Sequence, residues 1–189
     1  MRSKVLAQVL SAAALSALVS LAQAAGLALT SPEIKSGGTM PKSFEFNGFG
    51  CSSENKSPAL KWSGAPAGTK SFAVTVYDPD APTGSGWWHW VVVNIPANVT
   101  ELASNAGAVG GANLPPGASN VRVDFGFAGW GGTCPPQGDK PHRYIFSVYA
   151  LKTDKIDVPA DASAALAGFM INANKVGKAS FTAKYGRTK

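Results

Sequence analysis

Two aspartates and a histidine lie close together in YDPDAPTGSGWWHW, residues 77–90, and their side chains could bind or protonate a ligand. Asp78 and Asp80 follow the end of an apolar segment, and two prolines restrict the loop after it. His89 immediately precedes an apolar run and has tryptophans on both sides. Rigid loops at strand ends often carry binding residues. The stretch therefore predicts a site at one end of a sheet.

A second stretch, GGTCPPQGDKPHRYIF at residues 131–146, repeats this arrangement. Its glycines and prolines lead into an apolar strand, and His142 stands at the junction. Alternate residues of a strand share a face, so His142 and Tyr144 can enter one pocket while Arg143 points away. The chain has only two histidines, and each stands where a loop enters a strand. If those strands are neighbours, the two imidazoles can converge.

These residue types favour a small pocket for an anion. Imidazole, phenol and glycine N–H groups can all donate hydrogen bonds to an oxyanion. A carboxylate can orient an imidazole by accepting its other N–H, and tryptophans at the rim can contact a larger apolar group. In the alternative interpretation, the aspartates only cap turns through their own backbone and the histidines are structural. We predict a pocket for a phosphate-type group.

Metal binding and nucleophilic catalysis are less well supported by the sequence. Two histidines and two aspartates could ligate zinc, but the chain lacks an H-x-x-x-H or H-x-H pair. The serines of GSG and SGA do not form a G-x-S-x-G motif. We therefore predict no metal, no cofactor and no enzymatic activity. A hydrolase that uses an Asp/His pair for acid–base chemistry is a further alternative.

The N-terminus has the organisation of a secretory signal peptide. A basic start precedes an apolar stretch over residues 5–21, and the small-x-small sequence AQA follows at 22–24. We predict cleavage after residue 24. Residues 25–189 would then form one domain, which is either located in the periplasm or secreted. A retained membrane anchor is the alternative, and no other segment could span a bilayer.

The two cysteines, Cys51 and Cys134, fit an exported protein. Disulfides form in oxidising compartments, so we predict that these two are paired. The long loop that they close would contribute about 4 kcal/mol to stability by loop entropy. The alternative is two buried free thiols.

The charge of the chain does not indicate a nucleic-acid partner. The formal net charge is +6, and the loss of Arg2 and Lys4 with the signal peptide lowers it to +4. The basic residues that stay are scattered, whereas nucleic-acid binding needs a clustered basic face.

Strand patterns dominate residues 25–189. The run at 90–96 is continuously apolar and predicts a strand covered on both faces, whereas the alternating segments 71–78 and 179–186 predict half-covered strands. A further strong strand is predicted at 143–151. Turn sequences rather than helices separate these segments, which favours a mainly β protein, an antiparallel β-sandwich with a few peripheral helices.

One helix is predicted in DASAALAGFMINANKVG, residues 161–177. Asp161 or Ser163 can cap its start, and Gly177 is placed to end it. The apolar residues at helical spacing, which we predict to face the sheet, are Leu166, Phe169, Met170 and Ala173.

The sequence resembles the phosphatidylethanolamine-binding protein family, in its bacterial Raf-kinase-inhibitor-like branch. The resemblance spans most of the chain after the signal peptide. It is densest in DPDAPTGSGWWHWVVVNIP at 78–96 and GTCPPQGDKPHRYIFSVYAL at 132–151, and NKSPALKW at 55–62 also fits.

The resemblance implies a central antiparallel β-sandwich and a small rigid pocket for phosphate-type anions. The chain ends at KYGRTK soon after a strand, where eukaryotic members have a C-terminal helix, so a more open pocket mouth is expected. The ligand-binding residues that it implies here are Asp78, Asp80, Trp87, His89, Pro136, His142 and Tyr144.

The function expected from these observations is non-enzymatic binding of a phospholipid head group or a phosphorylated ligand. The alternative is a protein-interaction module, because some family members are described as protease or kinase inhibitors. Inhibition of a cytosolic kinase does not fit an exported protein.

Overall fold

The computed structural model describes residues 26–188, in which eight strands form two antiparallel sheets. The small sheet has the order β1-β2-β5 and the large sheet the order β6-β4-β3-β7-β8. The predicted signal peptide, residues 1–24, lies outside the described residues. No helix within 26–188 is long and apolar enough to cross a bilayer. The elements are β1 (Ala28–Thr30), a 3₁₀ helix (Lys42–Phe44), β2 (Leu60–Ser63), β3 (Ser71–Asp78), β4 (Trp87–Pro96), β5 (Glu101–Leu102), β6 (Ser119–Asn120), β7 (His142–Leu151), α1 (Ala164–Asn174) and β8 (Lys175–Tyr185).

The main core lies between the two sheets. Leu60 and Trp62 of β2 are buried against alternate residues of the large sheet, including Phe72, Val74 and Trp90. Trp62 and Phe72 pack with their ring centroids 5.5 Å apart. This arrangement confirms the predicted mainly β, antiparallel sandwich.

A second core covers the opposite face of the large sheet. Val91 and Val93 of β4 are buried there beneath α1 and neighbouring loops, so the strand at 90–96 is covered on both faces as predicted. The prediction of a half-covered β3 is wrong, because Ala73 and Thr75 on its second face are also buried. Ala73 and Thr75 are small enough to be covered by the layer above them. They do not form the row of large apolar residues by which a buried strand face is recognised in a sequence.

The predicted helix exists, but its predicted buried face is wrong for three of the four residues, and only Met170 packs partly buried against the second core. Ser163 caps it by accepting a hydrogen bond from the Leu166 N–H at 3.1 Å. The helix approaches the sheet so closely that a Cβ on Gly168 would lie 3.4 Å from the Trp88 ring. Small residues therefore face the sheet, and Phe169 is 72% exposed. The buried residues of α1 are Ala164, Ala167, Gly168 and Ile171.

Gly177 does not end the helix. The helix stops at Asn174, and β8 begins at the next residue. Gly177 pairs with Ala150 inside the sheet, where a Cβ would lie 2.8 Å from Cγ of Pro66. Its lack of a side chain therefore serves close packing within a strand rather than the end of a helix.

Candidate functional site

The two predicted loop-to-strand junctions meet at one end of the large sheet. Strand β3 lies between β4 and β7 and is antiparallel to both. The end of β3 at Asp78 is therefore next to the start of β4, with Trp87 and His89, and the start of β7, with His142 and Tyr144. Sheet topology thus brings together residues from distant parts of the sequence.

A β-bulge gives His89 its position. The register between β3 and β4 shifts between Val76 and Tyr77, which leaves His89 as an extra residue in β4. Strict alternation would place His89 and Trp90 on opposite faces, but a bulge lets two successive residues oppose one partner. Trp90 lies in the core between the sheets, and the His89 ring lies 5.0 Å from the ring of Tyr144.

A backbone carbonyl orients the His89 imidazole. Nδ1 lies 2.7 Å from the carbonyl oxygen of Gly131, and because a carbonyl only accepts, Nδ1 carries the hydrogen and donates. Burial lowers the pKa of His89, although the Gly131 carbonyl and the charge of Asp78 act in the opposite direction. The ring is therefore neutral near pH 7, and its Nε2 carries a lone pair.

Asp78 holds the second histidine. Its Oδ2 accepts a 2.8 Å hydrogen bond from His142 Nδ1, and both side chains are almost completely buried. Its Oδ1 accepts the backbone N–H of Asp80 at 2.8 Å, so the turn predicted as an alternative role for the aspartates is also present. The other nitrogen of His142, Nε2, lies 3.6 Å from the carboxylate of Asp139.

Asp80 binds Arg143 rather than a histidine. Its carboxylate accepts hydrogen bonds from Arg143 Nε at 2.9 Å, Arg143 Nη2 at 2.7 Å and the Arg143 backbone N–H at 2.8 Å. The hydrogen bonds from Arg143 lower the pKa of Asp80 to about 2. The two aspartates therefore fix successive residues at the start of β7, Asp78 through His142 and Asp80 through Arg143.

The Tyr144 hydroxyl is buried without a hydrogen-bond partner among the described residues. The side chain is completely buried, and burial raises its pKa far above the usual value for tyrosine. The hydroxyl therefore keeps its proton and can donate it in a hydrogen bond. Buried polar groups are normally paired. Four other buried side-chain polar atoms of the described residues also lack a partner, those of Trp62, Trp130, Thr133 and Thr153.

These side chains surround a cavity of about 160 Å³. Asp80 is not part of the lining, and it supports the site from behind through Arg143. Among the described residues, no lysine or arginine lines the cavity. Six of the seven predicted ligand-binding residues line it, namely Asp78, Trp87, His89, Pro136, His142 and Tyr144.

Sequence reasoning missed an aromatic rim. Phe49 and Phe125 line the cavity with Trp87, and the Phe125 ring lies 5.5 Å from Trp87 and 6.0 Å from Phe49. Phe49 is 70% exposed and has a φ of 54°, a conformation that non-glycine residues rarely adopt. The signal available was the isolated phenylalanine between glycines in NGFGC. The other lining residues not included in the prediction are Ala81, Pro82, Thr83, Cys134 and Pro135.

The predicted disulfide is present and holds one wall of the cavity. Cys51 is bonded to Cys134, which lies next to the lining residues Pro135 and Pro136. Arg187 secures the same loop from the C-terminal side, because its Nε donates to the Pro135 carbonyl at 2.7 Å. Backbone hydrogen bonds on either side of the prolines, to the segment 44–46 and to Arg187, also hold the loop.

Gly131 is required beneath the rim. Its carbonyl accepts from His89 Nδ1, and its N–H donates to the His89 carbonyl at 2.9 Å. A Cβ at Gly131 would lie 2.2 Å from the Phe125 ring, so any side chain here would displace the rim or the histidine.

Within residues 26–188, no group of three or more His, Cys, Asp or Glu side chains is placed to hold a metal ion.

Comparison with known proteins identifies close relatives. The family model of the phosphatidylethanolamine-binding proteins matches residues 30–186, which include the whole cavity lining. The UPF0098 protein YbcL of Escherichia coli K12 is 62% identical over 164 residues, covering 87% of this chain and 90% of YbcL. YbhB of the same organism is 48% identical over 157 residues, covering 83% of this chain and 98% of YbhB.

The fold also matches a solved relative. The crystal structure of Escherichia coli YbcL, described as a new member of the mammalian PEBP family, superposes with a TM-score of 0.84 at 60% sequence identity. The superposition covers 86% of this chain and 99% of that structure.

Proposed function

The chain belongs to the phosphatidylethanolamine-binding protein family, and from this premise we propose that it is an exported, non-enzymatic binding protein for a phosphate-type group. That group would be part of a phospholipid head group or of another phosphorylated ligand. The pocket at the ends of β3, β4 and β7 would hold it.

The observation that carries this proposal is that His89, His142 and Tyr144 line one cavity, and that the buried hydroxyl of Tyr144 has no partner among the described residues. An oxyanion there would accept its hydrogen bond and remove the cost of leaving it unsatisfied, which is about 1–3 kcal/mol. The neighbouring His89 and Asp78 are fixed by hydrogen bonds to the protein, so the pocket would not need to reorganise on binding. The aromatic rim of Phe49, Trp87 and Phe125 would contact the organic part of the ligand.

The lining supports binding rather than catalysis. Nucleophilic catalysis needs a serine, threonine or cysteine beside a general base. The Thr83 hydroxyl donates to the Gly86 carbonyl at 2.5 Å, and Cys134 is in the disulfide. No activated nucleophile is therefore evident among the residues that line the cavity.

Export is supported by two independent features. The disulfide between Cys51 and Cys134 is typical of oxidising compartments. The N-terminal sequence also has the basic, apolar and small-residue segments of a signal peptide. Both features agree with a protein in the periplasm or the medium.

Titration followed by NMR tests the pocket. Phosphate or phosphoethanolamine, added to about millimolar concentration, is expected to shift the ring resonances of His89 and His142, because both rings line the cavity. Backbone resonances of Phe169 on α1, which is not part of the lining, provide the internal control. Unmoved histidine resonances with both ligands would refute the pocket.

A protein-interaction role is the alternative, favoured by the exposure and unusual backbone of Phe49. In that case the rim would contact a protein partner, and the pocket would anchor one of its side chains. Phe49→Ala and Trp87→Ala should then abolish capture of a partner from an envelope extract. Phe169→Ala is the matched control, because Phe169 is equally exposed but lies on α1. Unchanged capture by the two rim variants would contradict this role.

A further inference from the structure

We propose that the outward side of α1 and the lysines that follow it bind the surface of an anionic phospholipid bilayer. This surface, the α1 face, consists of Leu166, Phe169, Lys175, Val176 and Lys178, all of which are exposed. None of these residues lines the cavity of the candidate site. The α1 face is therefore a second interaction surface, separate from the pocket of the proposed function.

The first argument is that the exposed side of α1 is apolar. At about 3.6 residues per turn, Phe169 lies opposite the side of the helix that packs on the sheet. Ala165, Leu166 and Ala173 surround it and are also exposed. The helix sequence, Ala164–Asn174, contains no charged residue. Surface helices normally carry charged or polar side chains on their solvent side, so the outward side of α1 fits an apolar partner.

The second argument is the positive charge at the end of this helix. Lys175 is the first residue of β8, and its Nζ donates to Asn172 Oδ1 at 2.8 Å. The Nζ of Lys178 lies 5.2 Å from the centroid of the Tyr149 ring. Tyr149 belongs to the second core, so Lys178 extends on the same face of the large sheet as α1. Two lysine side chains thus border the apolar side of the helix.

Acidic residues leave this charge available. The sequence from 162 to 189 contains no aspartate or glutamate. Asp154 and Asp157, which precede the helix, each pair with another lysine. Within residues 26–188, neither Lys175 nor Lys178 forms an ion pair. The charge of the α1 face therefore complements an anionic partner.

The combination of these features favours a bilayer as that partner. Apolar and aromatic side chains beside lysines are typical of helices that lie in the plane of a membrane surface. Phe169 would enter the boundary between head groups and acyl chains, while the lysines would contact lipid phosphates. Leu166 and Phe169 line neither the candidate site nor the neighbouring cavity at the start of α1. They project outward, as insertion into a fluid surface requires.

The α1 face begins close to the rim of the candidate site. Ser163 and Ala164 line the neighbouring cavity together with Trp87, which also lines the candidate site. A chain that rests on α1 would therefore hold its pocket near the bilayer surface. The α1 face would do so whatever the pocket binds, so the inference does not depend on the proposed function.

Sedimentation with vesicles tests the α1 face. The chain without its predicted signal peptide is mixed with vesicles of phosphatidylcholine alone, or of equal parts phosphatidylcholine and phosphatidylglycerol. It is expected to bind the anionic vesicles at least about tenfold more tightly, because each lysine near an anionic surface contributes to binding. Added sodium chloride should weaken this binding, since salt screens the attraction.

Two double variants remove the two parts of the α1 face. Leu166→Gln/Phe169→Gln removes the apolar part, and Lys175→Gln/Lys178→Gln removes the charge. Each is expected to weaken binding to the anionic vesicles by about tenfold or more. All four side chains are exposed, so urea unfolding should show that both variants still fold. Full binding by both folded variants would overturn the inference.

Lys42→Gln/Lys56→Gln is the matched control for charge. These lysines belong to the segment whose Phe44 is buried in the main core, which lies on the other face of the large sheet from α1. The control loses the same charge as Lys175→Gln/Lys178→Gln, but it should bind the anionic vesicles nearly as tightly as the unsubstituted chain. Equal losses in both variants would mean that net charge, rather than the α1 face, causes binding.

Tyr144→Phe and added inorganic phosphate separate this inference from the proposed function. Neither should release the chain from the vesicles, when phosphate is compared with sodium chloride of the same ionic strength, because Tyr144 lies in the pocket. Release by either would mean that the pocket holds the lipid, which overturns the α1 face and leaves the proposed function standing. Vesicle binding by a chain that does not bind phosphate would have the opposite meaning.

Two further outcomes would also overturn the inference. The first is a chain that binds neither kind of vesicle or binds both equally. The second is a dimer, seen by sedimentation velocity without vesicles, that Leu166→Gln/Phe169→Gln converts to a monomer. In that case a second copy of the chain would cover the apolar side of α1.

Discussion

At the scale of single residues, the buried tyrosines Tyr144 and Tyr185 differ in whether their hydroxyl groups have a hydrogen-bond partner. The Tyr185 hydroxyl donates to the carboxylate of Glu45 at 3.2 Å, whereas the Tyr144 hydroxyl has no partner in the described part of the chain. A paired hydroxyl stabilises the folded chain, and an unpaired one destabilises it. The ligand that we propose for the cavity would give the Tyr144 hydroxyl the partner that it lacks among the described residues.

Tyr144→Phe is expected to leave the free energy of unfolding unchanged or slightly raised, because it removes an unsatisfied buried hydroxyl. The same variant should weaken phosphate binding by about tenfold. Tyr185→Phe is the matched control and should lose about 1–2 kcal/mol, since it leaves the buried Glu45 without its donor. Urea unfolding and calorimetry measure the two quantities. A clear loss of stability in Tyr144→Phe would indicate a structural role.

The Asp80–Arg143 pair gives the start of β7 a dependence on pH. The folded state holds the pKa of Asp80 at about 2, below its usual 3.8, so the pair stabilises the fold above about pH 4. That contribution is lost as the pH falls from about 4 towards 2. Asp80→Asn should lower the thermal midpoint by a few degrees at neutral pH, and the difference from the unsubstituted chain should shrink over this acidic range. A difference that did not change with pH would contradict this account.

At the scale of elements, local patterns predicted the strands but not all of their faces. Strand β3 has the predicted bounds 71–78, and Phe181 and Ala183 of β8 face the core as their alternation indicates. The face of His89 could not be predicted, because a bulge in β4 depends on the pairing with β3. The site residues could be predicted because each lies a few residues from a strand end, which is a local property of the sequence. The topology of the sheet then brings these strand ends together.

The buried face of α1 was missed for a different reason. The large apolar residues Leu166 and Phe169 suggested a core face, but the helix lies too close to Trp88 to accommodate them. How closely a helix approaches a sheet depends on both partners and cannot be deduced from the helix alone. The same limit applies to the rim, since Phe49 and Phe125 come together only when distant loops pack.

Two substitutions in α1 test its orientation. Ile171→Ala should lower the free energy of unfolding by about 2–5 kcal/mol, because Ile171 is completely buried in the second core. Leu166→Ala removes a side chain of similar size that is 42% exposed, so it should cost less than about 1 kcal/mol. Denaturant unfolding of both variants gives the comparison. A larger loss for Leu166→Ala than for Ile171→Ala would mean that the helix packs as the sequence pattern first suggested.

At the scale of the whole molecule, rigid and irregular parts contribute differently to the pocket. The large sheet positions Asp78, His89 and Tyr144 through its backbone hydrogen bonds. The wall at Pro135 and Pro136 lies outside the large sheet and is held by the disulfide, by Arg187 and by backbone hydrogen bonds on either side of the two prolines. The polar end of the pocket should therefore tolerate loss of the disulfide better than the wall does.

The double variant Cys51→Ala/Cys134→Ala separates these contributions. Removal of the disulfide, which joins residues 83 positions apart, is expected to lower the free energy of unfolding by about 4 kcal/mol, because the unfolded chain regains conformational freedom. Arg187→Gln is the comparison, since it loosens the same wall through Pro135 without opening the covalent loop. If the wall confines the ligand, both variants should weaken phosphate binding, while only the first should greatly reduce stability. Unchanged affinity in both would show that the sheet alone forms the binding site and that the disulfide serves the fold.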